Sequence, residues 1–273
     1  MTFSLFTLWL AFFGFVLGAV VGSFLNVVIL RVHSGKKLTG RSECPHCRHE
    51  LSTTDLIPII SFLWLRGRCR YCKKPISWQY PLVEITTGLT FALVFSTFYS
   101  TIILSSIRVI DLINLGFTLF FVSVLIVVTV SDLKWGIIPD RIVLPAWIVA
   151  FLYQIYLFFN YQSLTVLLHN LAVALSLGLF FFILILVTRG KGMGGGDLKL
   201  AILIGLSLGW PEAVVAIFLA FLTGALASVM LILLGKKAFK QTVPFGPFLA
   251  LGAFFGILFG NELFRFYLNT LGF

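Results

Sequence analysis

Charge is scarce in this sequence. Asp, Glu, Lys and Arg make up 11% of its 273 residues, against 59% hydrophobic residues. A soluble domain of that length needs a charged exterior, so this composition excludes one and predicts an all-α polytopic membrane protein. Lys and Arg are missing altogether from the first 30 residues. A cleaved secretory leader opens with a basic segment and has a shorter apolar core, so the first apolar run is expected to stay in place as a span. No internal repeat and no low-complexity tail is evident. Acids are fewest of all, ten in the whole chain, so each acid beside an apolar run calls for an explanation.

Apolar runs fall near 4–30, 82–104, 110–131, 141–160, 165–188, 198–209, 212–234 and 246–268. A helical span takes roughly 20 residues, and most of these runs meet that length. The run 198–209 covers only about 18 Å as a helix. It reads as a short or irregular span that continues from a glycine-rich segment, which gives about eight spans. With the N-terminus outside, segments 31–81, 132–140, 189–197 and 235–245 lie inside. Those segments and their flanks hold all of the 20 Lys and Arg residues except Arg108 and Arg265. This positive-inside pattern accounts for the net charge of +10 without nucleic acid, and it suits a membrane lipid surface with anionic headgroups.

The one long polar segment, 31–80, contains all four cysteines, Cys44 and Cys47 in "CPHCRHE" and Cys69 and Cys72 in "CRYCKKP". Two Cys-x2-Cys turns at this spacing are close to the zinc-ribbon pattern, in which four thiolates close a tetrahedral shell around a structural ion. Disulfides are the alternative, but the topology places the segment in a reducing compartment. Redox dithiols are a further alternative. His46 or His49 could replace a cysteine, or both could be plain loop residues. A metal is a plausible substitute for a large core in so short a segment.

Of the acids, Glu43, Glu50, Asp55 and Glu84 belong to this segment or its exit, and Asp111, Glu212 and Glu262 to outer ends. Asp132, Asp140 and Asp197 map to the inner boundary. Asp132 lies in "SDLKWGIIPD" and Asp197 ends "GMGGGD"; one out-and-back helical pair separates them, so they return to the same depth. Two carboxylates brought together can divide the roles of general base and protonated acid, the chemistry of aspartic proteases. Gly194, Gly195 and Gly196 would let a substrate backbone approach closely, tolerate positive φ and act as a hinge. Against this stand plainer readings, in which Asp197 caps a helix and Asp132 pairs with Lys134 or Lys199. The glycine segment lacks the Gly-Lys-Ser/Thr ending of a phosphate loop.

These motifs together resemble the type IV prepilin peptidase family, whose members serve type IV pilus, type II secretion and competence systems. "GSFLNVVILR" from Gly22 to Arg31, the cysteine segment, "DLKWGIIPD", "GMGGGDLKL" and "VPFGPFLALG" from Val243 to Gly252 follow the family's order over nearly the whole chain. The resemblance implies that Asp132 and Asp197 are the catalytic pair. It also implies a prepilin or pseudopilin substrate, cut in its leader at the cytoplasmic face of a bacterial inner membrane. Methylation of the new N-terminus from S-adenosylmethionine is implied too, tied to the zinc segment. The expected organisation is a first span at 1–30, a zinc-binding and methyltransferase segment at 31–80, and a peptidase domain at 81–273. A peptidase alone, with the zinc segment for docking or stability, is the competing reading; a non-catalytic scaffold is a more distant one. Asp140 is expected to cap the fourth span, Lys199 to snorkel or to tune Asp197, and Glu84 to cap the second span or to serve methyl transfer. The "VPFGP" turn is expected near the substrate groove.

Overall fold

The computed structural model describes residues 5–104, 108–190, 192–235 and 243–271. Lys191, Lys236, Lys237 and Lys240, part of the basic pattern above, lie outside the described residues. The described chain is helical: α1 Leu5–His33, α2 Ile60–Trp64, α3 Gln79–Leu104, α4 Val109–Trp135, α5 Asp140–Tyr161, α6 Leu164–Val187, α7 Gly195–Leu208, α8 Glu212–Leu233 and α9 Gly246–Leu271. Seven of these helices are long and apolar enough to cross a membrane, so this is a multi-pass membrane protein. The short span expected at 198–209 is the short helix α7. α7 has 14 residues and covers about 21 Å, short of a hydrocarbon core of about 30 Å. Contacts gather into two units, residues 1–127 and 128–273, with α4 running from one into the other.

In the first unit, α1 lies along α3. Gly14, Gly18 and Gly22 recur every four residues and share one face of α1. A methyl added at Gly18 would come to 2.5 Å from the Thr87 carbonyl, and one at Gly22 to 2.8 Å from the Glu84 backbone. Lipid gives apolar helices no hydrophobic reason to associate, so close backbone approach is what holds such a pair. Asn26, buried on α1, donates to the Tyr80 carbonyl (3.1 Å) and accepts from the Gln79 amide (3.3 Å). Arg31, where α1 leaves the apolar run, donates to the carbonyls of Leu38 (2.6 Å), Gly40 (3.1 Å) and Arg41 (2.9 Å) and so folds the return loop.

In the second unit α7 is the innermost element, packed against α5, α6, α8 and α9, with Leu200, Ala201 and Ile204 fully buried. A helix that ends short of the membrane surface must satisfy its terminal backbone groups within the protein. The Gln154 amide of α5 donates to the Leu206 carbonyl (2.7 Å) and accepts from Asn170 of α6 (2.9 Å). The indole of Trp147 donates to the Lys199 carbonyl (3.0 Å). α9 meets α8 along Gly252, Gly256 and Gly260, where any side chain would strike Ala216 or Glu212.

Candidate active site and metal centre

α4 carries Asp132 one turn before it ends, and α7 carries Asp197 in its first turn. Both side chains are buried, at 6% and 8% exposure. Asp132 Oδ2 accepts the Gly246 amide at the start of α9 (2.9 Å), and Asp197 Oδ2 accepts the Gly194 amide ahead of α7 (3.1 Å). Both acids belong to the second unit, residues 128–273. Among the described residues neither Oδ1 accepts a hydrogen bond. The capping reading of Asp197 therefore agrees with the geometry: one carboxylate oxygen fixes the helix end, and the other accepts no hydrogen bond among the described residues.

The glycines act differently from one another. Gly194 is extended at φ −90°, and Gly195 and Gly196 already belong to α7. Positive φ, which 194–196 could tolerate, is adopted by Gly190, at +70°. A methyl on Gly195 would meet nothing within 4 Å, whereas one on Gly196 would come to 2.9 Å from Ile138 Cβ. Gly196 thus lets the loop after α4 close over the start of α7. Gly246 was not singled out by sequence reasoning, although it precedes Pro247 at the head of the last apolar run, where proline suits a first helical turn. A methyl there would lie 2.7 Å from Asp132 Oδ2.

Three expectations about neighbouring charges are corrected. Lys199 pairs with neither catalytic candidate; its ammonium binds Asp140 Oδ1 at 2.7 Å. Asp140 makes no capping bond to α5 and instead ties the start of α5 to α7. Lys134 lies over the Trp135 ring, 4.8 Å from its centroid. Glu84 sits six residues into α3, too far in to cap it. Its carboxylate accepts the Ile59 amide at 2.7 Å, which fastens the polar segment to the span.

That segment contains a repeat that its letters hide. Residues 43–50 and 68–75 form the same turn, closed by the bridges Glu43 to Glu50 and Arg68 to Pro75. Cys44 N–H donates to His49 and Cys69 N–H to Lys74; Arg48 and Lys73 return to Cys44 and Cys69. Arg48 and Lys73 share a left-handed backbone, at φ +57° and +59°. The four Sγ atoms lie within 4.8 Å of one another, and those of Cys44 and Cys72 are 3.8 Å apart. A tetrahedral ion with metal–sulfur bonds of about 2.3 Å places its sulfurs about 3.8 Å apart, so these thiols fit such an ion. All four are free thiols. Burial works to raise the Cys44 thiol, but the Cys47 and His46 amides outweigh it and bring it down to about 7. His49 stacks on Tyr71, with ring centroids 3.6 Å apart, and His46 stays exposed outside the thiol cluster. Asp55 accepts from Arg70 (2.6 Å) and Tyr71 (3.2 Å) and secures the turn before α2.

Residues 16–98 match the family model of the bacterial peptidase A24 N-terminal domain, and residues 119–229 match that of the type IV leader peptidase family. The chain is 32% identical to a prepilin leader peptidase/N-methyltransferase of Aeromonas hydrophila, over 96% of this chain and 95% of that protein. It is 33% identical to the protein of the same description from Bacillus subtilis (strain 168), over 93% and 96% of the two chains. A counterpart from Burkholderia pseudomallei (strain 1026b) is 30% identical, over 92% and 86%. No solved structure matches the chain.

Proposed function

The chain belongs to the type IV leader peptidase family, and from that premise we propose that it is a membrane-embedded aspartic endopeptidase that removes prepilin leaders and N-methylates the new N-terminus. The observation that carries the peptidase reading is the burial of Asp132 and Asp197 in one unit, each held through one oxygen by a backbone amide. One carboxylate takes a proton from a water, whose oxygen attacks the scissile carbonyl carbon. The other, protonated, donates to the carbonyl oxygen as the tetrahedral intermediate forms. Collapse expels the amine, which takes up the proton gained by the base, while one hydroxyl of the intermediate returns its proton to the other carboxylate. Gly194 and Gly195, where an added methyl would meet nothing at Gly195 and no side chain but the Asp197 carboxylate, at 3.9 Å, at Gly194, are where the substrate backbone would run. The peptidase chemistry belongs to 81–273, with its acids at the cytoplasmic face of the bacterial inner membrane.

Cys44, Cys47, Cys69 and Cys72 hold a structural zinc in this reading, and the segment 31–80 supports methyl transfer. S-adenosylmethionine carries a sulfonium and an ammonium for one carboxylate. The recess beside Cys69 is lined by Arg66, Arg68, Arg70 and Lys73 and by no acid, so that recess does not fit the methyl donor. The relatives' shared description supports the methyltransferase half.

Mass spectrometry of a prepilin incubated with the purified enzyme, with and without S-adenosylmethionine, tests both halves. Loss of the leader and a gain of one methyl group are expected. Asp132→Asn and Asp197→Asn should each abolish cleavage in a folded protein, because an asparagine oxygen still accepts the Gly246 or Gly194 amide. Cleavage by either variant near the wild-type rate would refute the paired-acid assignment.

A further inference from the structure

α2 is short and two-faced. Ile60, Leu63 and Trp64, at i, i+3 and i+4, are 58%, 66% and 83% exposed. Phe62 turns the other way, is buried, and meets the Trp78 ring 5.0 Å away. The chain then turns basic at once. Arg66, Arg68 and Lys73 line a recess that Trp64 borders, and none of the three forms an ion pair among the described residues; Arg70, beside them, is held by Asp55. Ile59, the residue that caps the start of α2, is held in a strained γ-turn, at φ +63° and ψ −52°, with Ile60 N–H donating to the Pro58 carbonyl. A β-branched residue rarely adopts that conformation, and it persists only where its surroundings fix it. Glu84 does so here through the Ile59 amide (2.7 Å). Glu84 lies five residues past the start of α3, about 7.5 Å along the helix axis. α2 is therefore fastened beside the first turns of a membrane span.

We propose that α2 and the basic turn after it form an interfacial anchor that docks on the anionic leaflet of the membrane the chain spans. The position beside α3 puts the apolar stripe at the edge of the bilayer. Trp64 and Trp78 suit the headgroup level, where the indole ring has one apolar and one wet side. Arg66, Arg68 and Lys73 supply the positive charge that an anionic leaflet attracts, at about fivefold in binding per cation, and the short amphipathic stripe supplies the buried apolar area. The anchor would hold the four-cysteine centre, of which Cys69 borders the recess, against the leaflet. It operates whether or not the chain cleaves a substrate.

The test uses the full chain in nanodiscs of brominated phosphatidylglycerol or brominated phosphatidylcholine. The difference in fluorescence between wild type and Trp64→Phe isolates Trp64, whose exposed ring is not needed for folding. In phosphatidylglycerol this difference signal should be quenched by bromine and shielded from aqueous iodide. Arg66→Gln, Arg68→Gln and Lys73→Gln together should cut the preference for phosphatidylglycerol by roughly fivefold per charge. Iodide reaching Trp64 while bromine does not would overturn the proposal, as would equal bromine quenching in the two lipids. Shielding from both quenchers would mean that a protein surface covers α2, and would overturn it too.

Discussion

Gly246→Ala asks whether the start of α9 sets the position of Asp132. The added methyl would lie 2.7 Å from Oδ2, and ordinary contact begins at 3.4 Å, so carboxylate or helix must yield by about 0.7 Å. Gly246 lies between Phe245 and Pro247 on buried backbone, and Asp132 is itself buried, so the carboxylate side chain is the softer of the two. Its bond from the Gly246 amide, 2.9 Å in the native chain, is then stretched or lost. A hydrogen bond to a charged group contributes about 1.5–3 kcal/mol, and a misplacement of about 1 Å at a reacting group costs on the order of 100-fold in rate. We therefore expect kcat for leader cleavage to fall by roughly 10- to 100-fold, with KM changed much less because no substrate contact is removed. The assay is steady-state cleavage of a purified prepilin, followed by mass spectrometry, with thermal unfolding measured in parallel. Gly116→Ala on α4, where a methyl meets nothing within 4 Å, controls for glycine replacement in a span and should leave kcat unchanged. If folded Gly246→Ala cleaves within about twofold of wild type, a shift far below the expected loss, the Gly246 amide does not position Asp132.

The metal centre should bind one zinc per chain by elemental analysis, and Cys44→Ser should release it and loosen residues 41–78 in hydrogen exchange, since the ion closes both turns. In Asp55 burial works to raise the carboxyl, but hydrogen bonds from Ser52 and Arg70 outweigh it and hold it below the usual carboxylate range. A carboxyl depressed on folding stabilises above its unfolded pKa, and that stability is lost as pH falls through the folded value. Asp55→Asn should therefore weaken the segment across pH 5–8, and the difference from wild type should shrink below about pH 4, as read by thermal unfolding. Gln154→Leu removes the donor to the Leu206 carbonyl and the acceptor for Asn170. It should cost about 1 kcal/mol or somewhat more in a denaturation titration and leave KM for the prepilin unchanged.

The long spans were legible because apolar length is a one-dimensional signal. The short one was not. Hydropathy places its start at residue 198, but α7 begins at Gly195, since packing against four helices and the Asp197 cap override the poor helix propensity of glycine. The four cysteines announce a metal site by spacing alone, while the repeat of which they are part is carried by backbone geometry. Cysteines 44/69 and 47/72 recur, but Arg48 with Lys73 and His49 with Lys74 share only a conformation. Ion pairing was out of reach for a different reason. Lys199 lies two residues from Asp197 and 59 from Asp140, yet it points to Asp140, a choice made by how α5 and α7 meet. Gly246 escaped notice because its role is to make room for a residue 114 positions earlier.

The proposed mechanism needs the two acids to share one proton, and their backbone donors bear on that. Burial in a low-dielectric site disfavours the charged form of a carboxyl, and a helix N-terminus or an amide donor favours it. Asp132 and Asp197 each receive one amide, from Gly246 and Gly194. Two or three donors apiece would stabilise both charges, as amide-rich carboxylate sites do, and leave no acid to polarise a peptide carbonyl. No donors at all would leave both acids protonated and no base to activate water. In the proposed mechanism, one donor apiece would offset the burial of one negative charge, and repulsion between two would oppose the second. The short α7 is what makes this possible: a helix that starts inside the protein brings an acid and an amide to the depth where α4 ends and α9 begins.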